Sequence, residues 1–181
     1  MSRAHSFQIS CLCSYADISN TSLIYESKVG LRLDARGSIR LDSDVVVVGG
    51  GAAGVAAAVS SARKGLNVTL IERYGFCGGG AVAGLSGTVC GLYEATNNIA
   101  TGPKQIVFGF ADEFCQRLAA RGGLGDPLLY GKTWARVHDP IVWREVADAM
   151  LREAGVRVIF HAHAQAVRLD GEKIEGISVW T

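Results

Sequence analysis

Four consecutive valines, Val45 to Val48, run directly into three consecutive glycines, Gly49, Gly50 and Gly51, and no other feature of the chain restricts its fold as strongly. β-Branched side chains are stiff and favour extended backbone, so the run predicts a strand. Its lack of alternation predicts a central parallel strand buried on both faces. Glycine weakens a strand interior, so the chain is expected to turn where the valines stop. The stretch 52–64 is rich in alanine, which favours helix, and Gly65 stands where a helix C-cap belongs. Asn67, Val68, Thr69, Leu70 and Ile71 then read as a second strand ending at Glu72. Strand, helix and strand within about 30 residues make one β-α-β unit, and an α/β fold with a parallel sheet is predicted.

The glycine spacing inside this unit carries chemistry. Gly49, Gly51 and Gly54 form a G-x-G-x-x-G run that follows a strand and opens a helix, with an acidic residue 18 positions after Gly54. In that setting the first glycine allows the tight turn, the second lets the backbone approach a pyrophosphate, and the third brings helix and strand together. The helix N-terminus adds unpaired N–H groups and partial positive charge. Glu72, at the tip of the second strand, can accept hydrogen bonds from both ribose hydroxyls of an adenosine. A carboxylate there repels a 2′-phosphate, which argues against NADP; NAD and FAD share the adenosine half, and this motif leaves both open. Gly78, Gly79 and Gly80 begin six residues after Glu72, within a stretch, 74–93, that carries no charge. Such a backbone nest suits the other side of a pyrophosphate. The uncharged continuation suits the wall of a large flat ring, which favours FAD over a nicotinamide cofactor.

Composition supports a bound group and excludes other classes. Of 23 glycines, 12 lie between positions 49 and 91, a concentration that brings bare backbone close to something. Lys and Arg total 18 against 17 for Asp and Glu, leaving a net charge of +1 and no field to draw nucleic acid or an anionic membrane. Hydrophobic residues at 49% give a 181-residue chain enough material for one core, so disorder is excluded as its main description. The uncharged stretches 45–62 and 74–93 are long enough to cross a bilayer, but their glycines read as strand and turn, so no membrane span is expected. Nor does the N-terminus carry a signal-peptide pattern.

Five cysteines, Cys11, Cys13, Cys77, Cys90 and Cys115, form no CxxC pair, which fits reduced thiols in a cytoplasmic protein. Cys11 and Cys13 near His5 lack the second ligand pair of a zinc site. Cys77 and Cys90 read as small buried apolar residues. His161 and His163 would share one face of a regular strand, but no third ligand accompanies them. His138 precedes a helix cap and needs no catalytic role.

The remaining elements are plainer. Ile39, Arg40 and Leu41 suggest a short strand leading into the core, and residues 1–37 read as an N-terminal extension of unknown role. Ile106, Phe110, Phe114 and Leu118 recur every four residues, predicting a helix with one apolar stripe that ends at Gly122 and Gly123. Asp139 and Pro140 read as the N-cap and first residue of a helix running to about position 154. A strand over 156–160 and a hairpin of 164–169 with 174–180, turned at Asp170 and Gly171, complete the chain.

Asp44 through Gly54, then Glu72-Arg73-Tyr74-Gly75-Phe76-Cys77-Gly78-Gly79, then Ala81 to Leu85, resemble the N-terminal half of the FAD-dependent oxidoreductase family, within the glutathione-reductase-like flavoproteins. The resemblance covers about residues 38–181 and implies a Rossmann-like, three-layer FAD-binding domain. It implies that Gly49, Gly51 and Gly54 form the phosphate loop, with the N–H groups of Ala52 and Ala53 near the pyrophosphate. Glu72 would hold the ribose, Arg73 would flank the adenine, Gly78 and Gly79 would line the second side, and the Ala164 backbone would touch the adenine. Ala52 stands where the family more often has proline. Family members are longer, with a substrate domain and a late Gly-Asp segment, so the resemblance implies an incomplete domain from a longer enzyme. The expected function is FAD-dependent hydride transfer from a small-molecule substrate, in a protein compatible with a homo-oligomer. An NAD-dependent dehydrogenase and a catalytically silent dinucleotide-binding module are the alternatives.

Overall fold

The structure is a computed structural model that describes residues 7–12, 32–33 and 39–181. His5 and Cys13 lie outside the described residues, as does most of the stretch read as an extension. In chain order the strands and helices are β1 (Phe7–Leu12), β2 (Arg32–Leu33), β3 (Ile39–Ser43), β4 (Val45–Val48), α1 (Ala52–Ala62), β5 (Val68–Ile71) and β6 (Thr88–Val89). There follow α2 (Phe110–Ala120), β7 (Leu124–Tyr130), β8 (Thr133–His138), α3 (Pro140–Glu153), β9 (Arg157–Ile159), β10 (His163–Asp170) and β11 (Lys173–Trp180).

The expected β-α-β unit is present: β4 and β5 pair in parallel, Val45 opposite Val68 and Val48 opposite Ile71, with α1 crossing between them. β9 extends the same sheet in parallel on the far side of β5. This order corrects one expectation. The centre of the sheet is β5, buried at all four residues, whereas β4 is half-buried and its Val48 is 57% exposed. Among the described residues β4 has one strand neighbour and β5 has two, which is why the more uniform valine run is the less buried one.

Alternation along the sheet sends side chains into two cores. Val68 and Leu70 join Val55 and Val59 of α1, Phe114 and Leu118 of α2, and Met150 and Leu151 of α3. On the other face Ile71 packs with Leu41, Ala162 and Val179, supported by Val46 and Ile159. That second face is covered by a five-stranded sheet ordered β10-β11-β1-β3-β2. β1 runs parallel to β11 and antiparallel to β3, so residues 7–12 supply a strand of this sheet. A hydrogen bond of 2.7 Å between Ser43 Oγ and Thr69 Oγ1 ties the two sheets where the core is polar. Helices, parallel sheet and second sheet make the three layers that the sequence resemblance implies.

α3 begins as read from sequence: the Asp139 carboxylate accepts from Ile141 N at 2.7 Å and Val142 N at 3.3 Å, with Pro140 in the first turn. α2 starts only at Phe110, after Gly109 at φ +71°, so Ile106 lies outside it and is exposed instead of extending the apolar stripe. The β7–β8 hairpin has no counterpart in the sequence reading. Its turn is at Gly131 and Lys132, and Pro127 follows a register shift, the kind of position where proline is tolerated in a sheet. β6 completes this small sheet beside β8. The last hairpin has Asp170 opposite Lys173, so Gly171 and Glu172 form its turn, one residue later than expected.

Candidate dinucleotide-binding site

At the C-terminal ends of β4 and β5 a cavity of about 580 Å³ opens, where ligands of parallel α/β sheets characteristically bind. Its floor is the Gly49–Gly51 turn, whose geometry explains each glycine differently. Gly49 is at φ +98°, and its N–H closes the β4–β5 ladder on Ile71 O at 2.8 Å. A Cβ on Gly54 would fall 1.9 Å from Gly49 O, so only glycine lets α1 start this close to the strand end. A Cβ on Gly51 would meet nothing nearer than the Gly79 Cα at 3.8 Å, so bare backbone here faces the cavity.

Glu72 caps β5 and is 5% exposed. Its Oε2 accepts from Gly50 N at 2.6 Å and its Oε1 from Tyr74 N at 2.8 Å. Charge-assisted bonds of this kind are about twice as strong as neutral ones, so the carboxylate clasps the glycine turn to the strand end. An ionised carboxylate has about four acceptor positions, and Glu72 also lines the cavity, so it can take further donors.

The second glycine cluster is built onto the first. Gly78 N donates to Gly50 O at 2.8 Å, and Gly51 and Gly78 form a parallel bridge. A Cβ on Gly79 would come within 2.9 Å of the Gly51 Cα. Beneath the turn lies Cys77, fully buried, its Sγ 2.6 Å from where a Cβ on Gly50 would be. Burial, with the nearby charges of Asp148 and Glu72, pushes its thiol up to about 12.

The rim is aromatic and cationic. The Arg73 guanidinium sits 4.6 Å over the Tyr74 ring and donates to its hydroxyl; Tyr74 stacks on Phe76 at 5.5 Å, and Arg144 of α3 covers Phe76 at 5.1 Å. This ladder fastens the segment after Glu72 to α3. Ala162 N donates to Glu72 O and His161 N to Tyr74 O, bringing Ala162, His163 and Ala164 to the opposite wall.

Of the residues singled out from sequence, Gly49, Gly51, Glu72, Arg73, Gly79 and Ala164 line this one cavity. Gly54 stands behind the turn, and Gly78 spends its N–H on Gly50 O instead of facing the cavity. Ala52 and Ala53 form the exposed first turn of α1, outside the lining. Gly80, the third residue of the second glycine nest, lines it too, and Tyr74, Ala83, Gly84 and His163 line it without an individual sequence expectation. The uncharged segment after Gly80 was the one signal for part of that wall. Two further expectations change. Cys90 is exposed, not a buried apolar filler, and it forms no pair with Cys77. His161, at φ +53°, precedes β10, so it and His163 do not share a strand face. Among the described residues no group of three potential metal ligands occurs, and no helix is long and apolar enough to cross a membrane.

The family model for FAD dependent oxidoreductases matches residues 44–181, and the chain belongs to that family. Its members are flavoenzymes whose cofactor is FAD, and the fold is an α/β FAD-binding Rossmann-like domain. A 57-residue stretch is 54% identical to urocanate reductase of Eggerthella lenta, covering 32% of this chain and 9% of that protein. Similar solved structures include THI4 of Thermovibrio ammonificans, at 24% identity and TM-score 0.47, covering 76% of this chain and 45% of that one. Another is L-proline dehydrogenase of P. horikoshii, at 15% identity and TM-score 0.49, covering 74% of this chain and 48% of that one. The chain thus spans less than half the length of each of these proteins.

Proposed function

We propose that residues 38–181 hold FAD in the cavity at the ends of β4 and β5, as the cofactor-binding part of an oxidoreductase acting on a small-molecule substrate. The observation that carries this reading is Gly51: its missing side chain leaves backbone open to a cavity flanked by a helix N-terminus and by Glu72. Gly49 and Gly51, with the N–H groups of Ala52 and Ala53, would bind the pyrophosphate, and Gly79 would close its second side. Gly54 and Gly78 would shape the loop from behind. Glu72 would hold the ribose with its remaining acceptor positions, Arg73 would flank the adenine, and the Ala164 backbone would meet the adenine edge. When bound, FAD supplies the ring that takes up a hydride; the residues here bind and orient it. Free thiols at Cys77, Cys90 and Cys115 accord with a reducing, cytoplasmic setting. A homo-oligomer is compatible with this reading.

Titration of the purified chain with FAD, followed by flavin fluorescence and calorimetry, tests the proposal. Saturable binding that Gly51→Val removes while the fold persists supports it. A chain that binds NADH but not FAD, or a Gly51→Val variant that binds FAD like the wild type, overturns it.

A further inference from the structure

A second cavity, of about 330 Å³, lies among the first turns of α1, the turn after Gly79, β6, α2, β8 and α3; it has no lining residue in common with the first cavity, though Ala52, placed above on the pyrophosphate, lines its edge. Its walls are apolar and aromatic: Ala56 of α1, Ala111, Phe110 and Phe114 of α2, Val89, and Trp143 of α3. Phe114 and Trp143 pack at 4.5 Å between ring centroids, which makes that side of the cavity a rigid aromatic surface. Cys90 and Thr88 bring a thiol and a hydroxyl to it, and both residues are exposed, so the cavity communicates with solvent there. No Asp, Glu, Lys or Arg lines it.

One further lining residue is out of character. His138, the last residue of β8, is 4% exposed, and neither its Nδ1 nor its Nε2 has a hydrogen-bond partner. A buried imidazole without partners is costly to maintain, and a polar group in this position calls for one. The backbone around it is fully committed: His138 N donates to Gly87 O at 3.0 Å, and Asp139 N to Gly123 O at 2.9 Å. The ring is therefore held beside the cavity by its own strand end.

We infer that this cavity is a binding site for a compact, uncharged, mostly aromatic or aliphatic molecule carrying one hydrogen-bonding group that pairs with His138. Size, lining and the imidazole each restrict the ligand. The volume matches that of roughly eleven liquid waters, enough for a molecule of about ten non-hydrogen atoms. A charged ligand would be buried without a counter-ion, which the absence of lining charges disfavours. A ring of this size can lie on Phe114 and Trp143 while its polar group meets the imidazole, which can donate from one nitrogen and accept at the other. The inference does not rest on the dinucleotide reading, because the site is tested with no dinucleotide present.

The probes are 4-ethylphenol, ethylbenzene, which lacks the hydroxyl, and 4-ethylbenzoate, which carries a charge. Titrations of the full chain are followed by calorimetry and by magnetisation transfer from probe protons to the Trp143 ring. 4-Ethylphenol binds saturably at one site, with transfer to Trp143, and 4-ethylbenzoate binds at least tenfold more weakly. Ala56→Phe and Ala111→Phe, which fill the cavity from two different helices, each weaken 4-ethylphenol at least tenfold. His138→Phe weakens 4-ethylphenol about five- to tenfold and leaves ethylbenzene unchanged. Absence of saturable binding to the wild type, or of transfer to Trp143, overturns the site whatever the variants do. Folded cavity-filling variants that bind like the wild type also overturn it. Equal binding of 4-ethylbenzoate, or a His138→Phe variant that binds 4-ethylphenol undiminished, overturns the ligand class.

Discussion

The two glycine clusters at the dinucleotide cavity look alike in sequence and differ in what they do. In the first, Gly51 leaves bare backbone facing the cavity, while Gly54 is bare because α1 would otherwise collide with Gly49 O. In the second, a Cβ on Gly78, at φ +146°, would strike the Val82 side chain at 2.2 Å, and a Cβ on Gly79, at φ +50°, would come within 2.9 Å of the Gly51 Cα. The glycines around the cavity are thus of two kinds. One kind leaves backbone open to the cavity, and the other makes room for the rest of the protein.

Substitution separates them. Gly54→Ala carries the largest expected effect, a loss of more than about 3 kcal/mol in stability, because its Cβ meets backbone and cannot be relieved by a rotamer change. Urea unfolding of wild type and variant measures it; a loss under about 1 kcal/mol would show that α1 can withdraw from the strand. Gly79→Ala should cost about 2–3 kcal/mol, combining a close contact with Gly51 and a φ of +50°. Gly51→Ala, by contrast, should change stability by less than about 1 kcal/mol, since its φ of −69° suits any residue and its nearest contact is ordinary. If Gly51→Ala and Gly79→Ala destabilise equally, the distinction between the two clusters fails.

Glu72 joins both clusters through Gly50 and the chain leading to Gly78. Glu72→Ala leaves Gly50 N and Tyr74 N without their carboxylate, and about 1.5–3 kcal/mol of stability should be lost along with any ribose contact. Thermal unfolding without dinucleotide isolates the structural share, and an unchanged midpoint would place the whole role of Glu72 in ligand binding. The thiols give a gentler readout of the same region. With its thiol pushed up to about 12 and its side chain buried, Cys77 should resist iodoacetamide near neutral pH, whereas exposed Cys90 should be alkylated under the same conditions. Peptide mapping by mass spectrometry decides this; early modification of Cys77 would mean that the turn opens readily.

The smallest effect lies away from both clusters, on the outer faces of the helices. Arg63 and Arg117 hold the Glu113 carboxyl below its ordinary range, through hydrogen bonds and charge. A depressed folded-state value means that this contribution is present above the ordinary carboxylate range and lost as pH falls through the folded value. Glu113→Gln should therefore cost less than about 1 kcal/mol at neutral pH, and its difference from wild type should vanish in acid. A difference that persists at about pH 3 would assign the effect to packing rather than charge.

Local patterns were read well, and long-range pairings were not. The β4–α1–β5 unit, the Asp139 cap and the last hairpin all depend on neighbours within a few residues or on one crossover, and each stands within a residue or two of expectation. The β7–β8 hairpin escaped because Pro127 argues against a strand unless the register shift beside it is known. Ile106 fell on the helical period by coincidence, since Gly109 at φ +71° sets the start of α2. The partners of Glu72 were also hidden, because nothing in the spacing says that Gly50 N folds back onto its carboxylate. Likewise Tyr74 and His163 reach one cavity from segments about 90 residues apart, joined by the β5–β9 pairing and by the bonds of Glu72 and Tyr74 that continue it.

By itself the sequence determined the class of fold, the position of the glycine turn and the acid that faces it, because steric preference and spacing act locally and are written in consecutive residues. Tertiary structure decided which strand is central, which glycines face the cavity and which face the rest of the chain, and that His138 is buried beside a second cavity. Those outcomes depend on distances between segments remote in sequence. There a Cβ is admitted or refused by whatever the rest of the chain has already placed at that point in space.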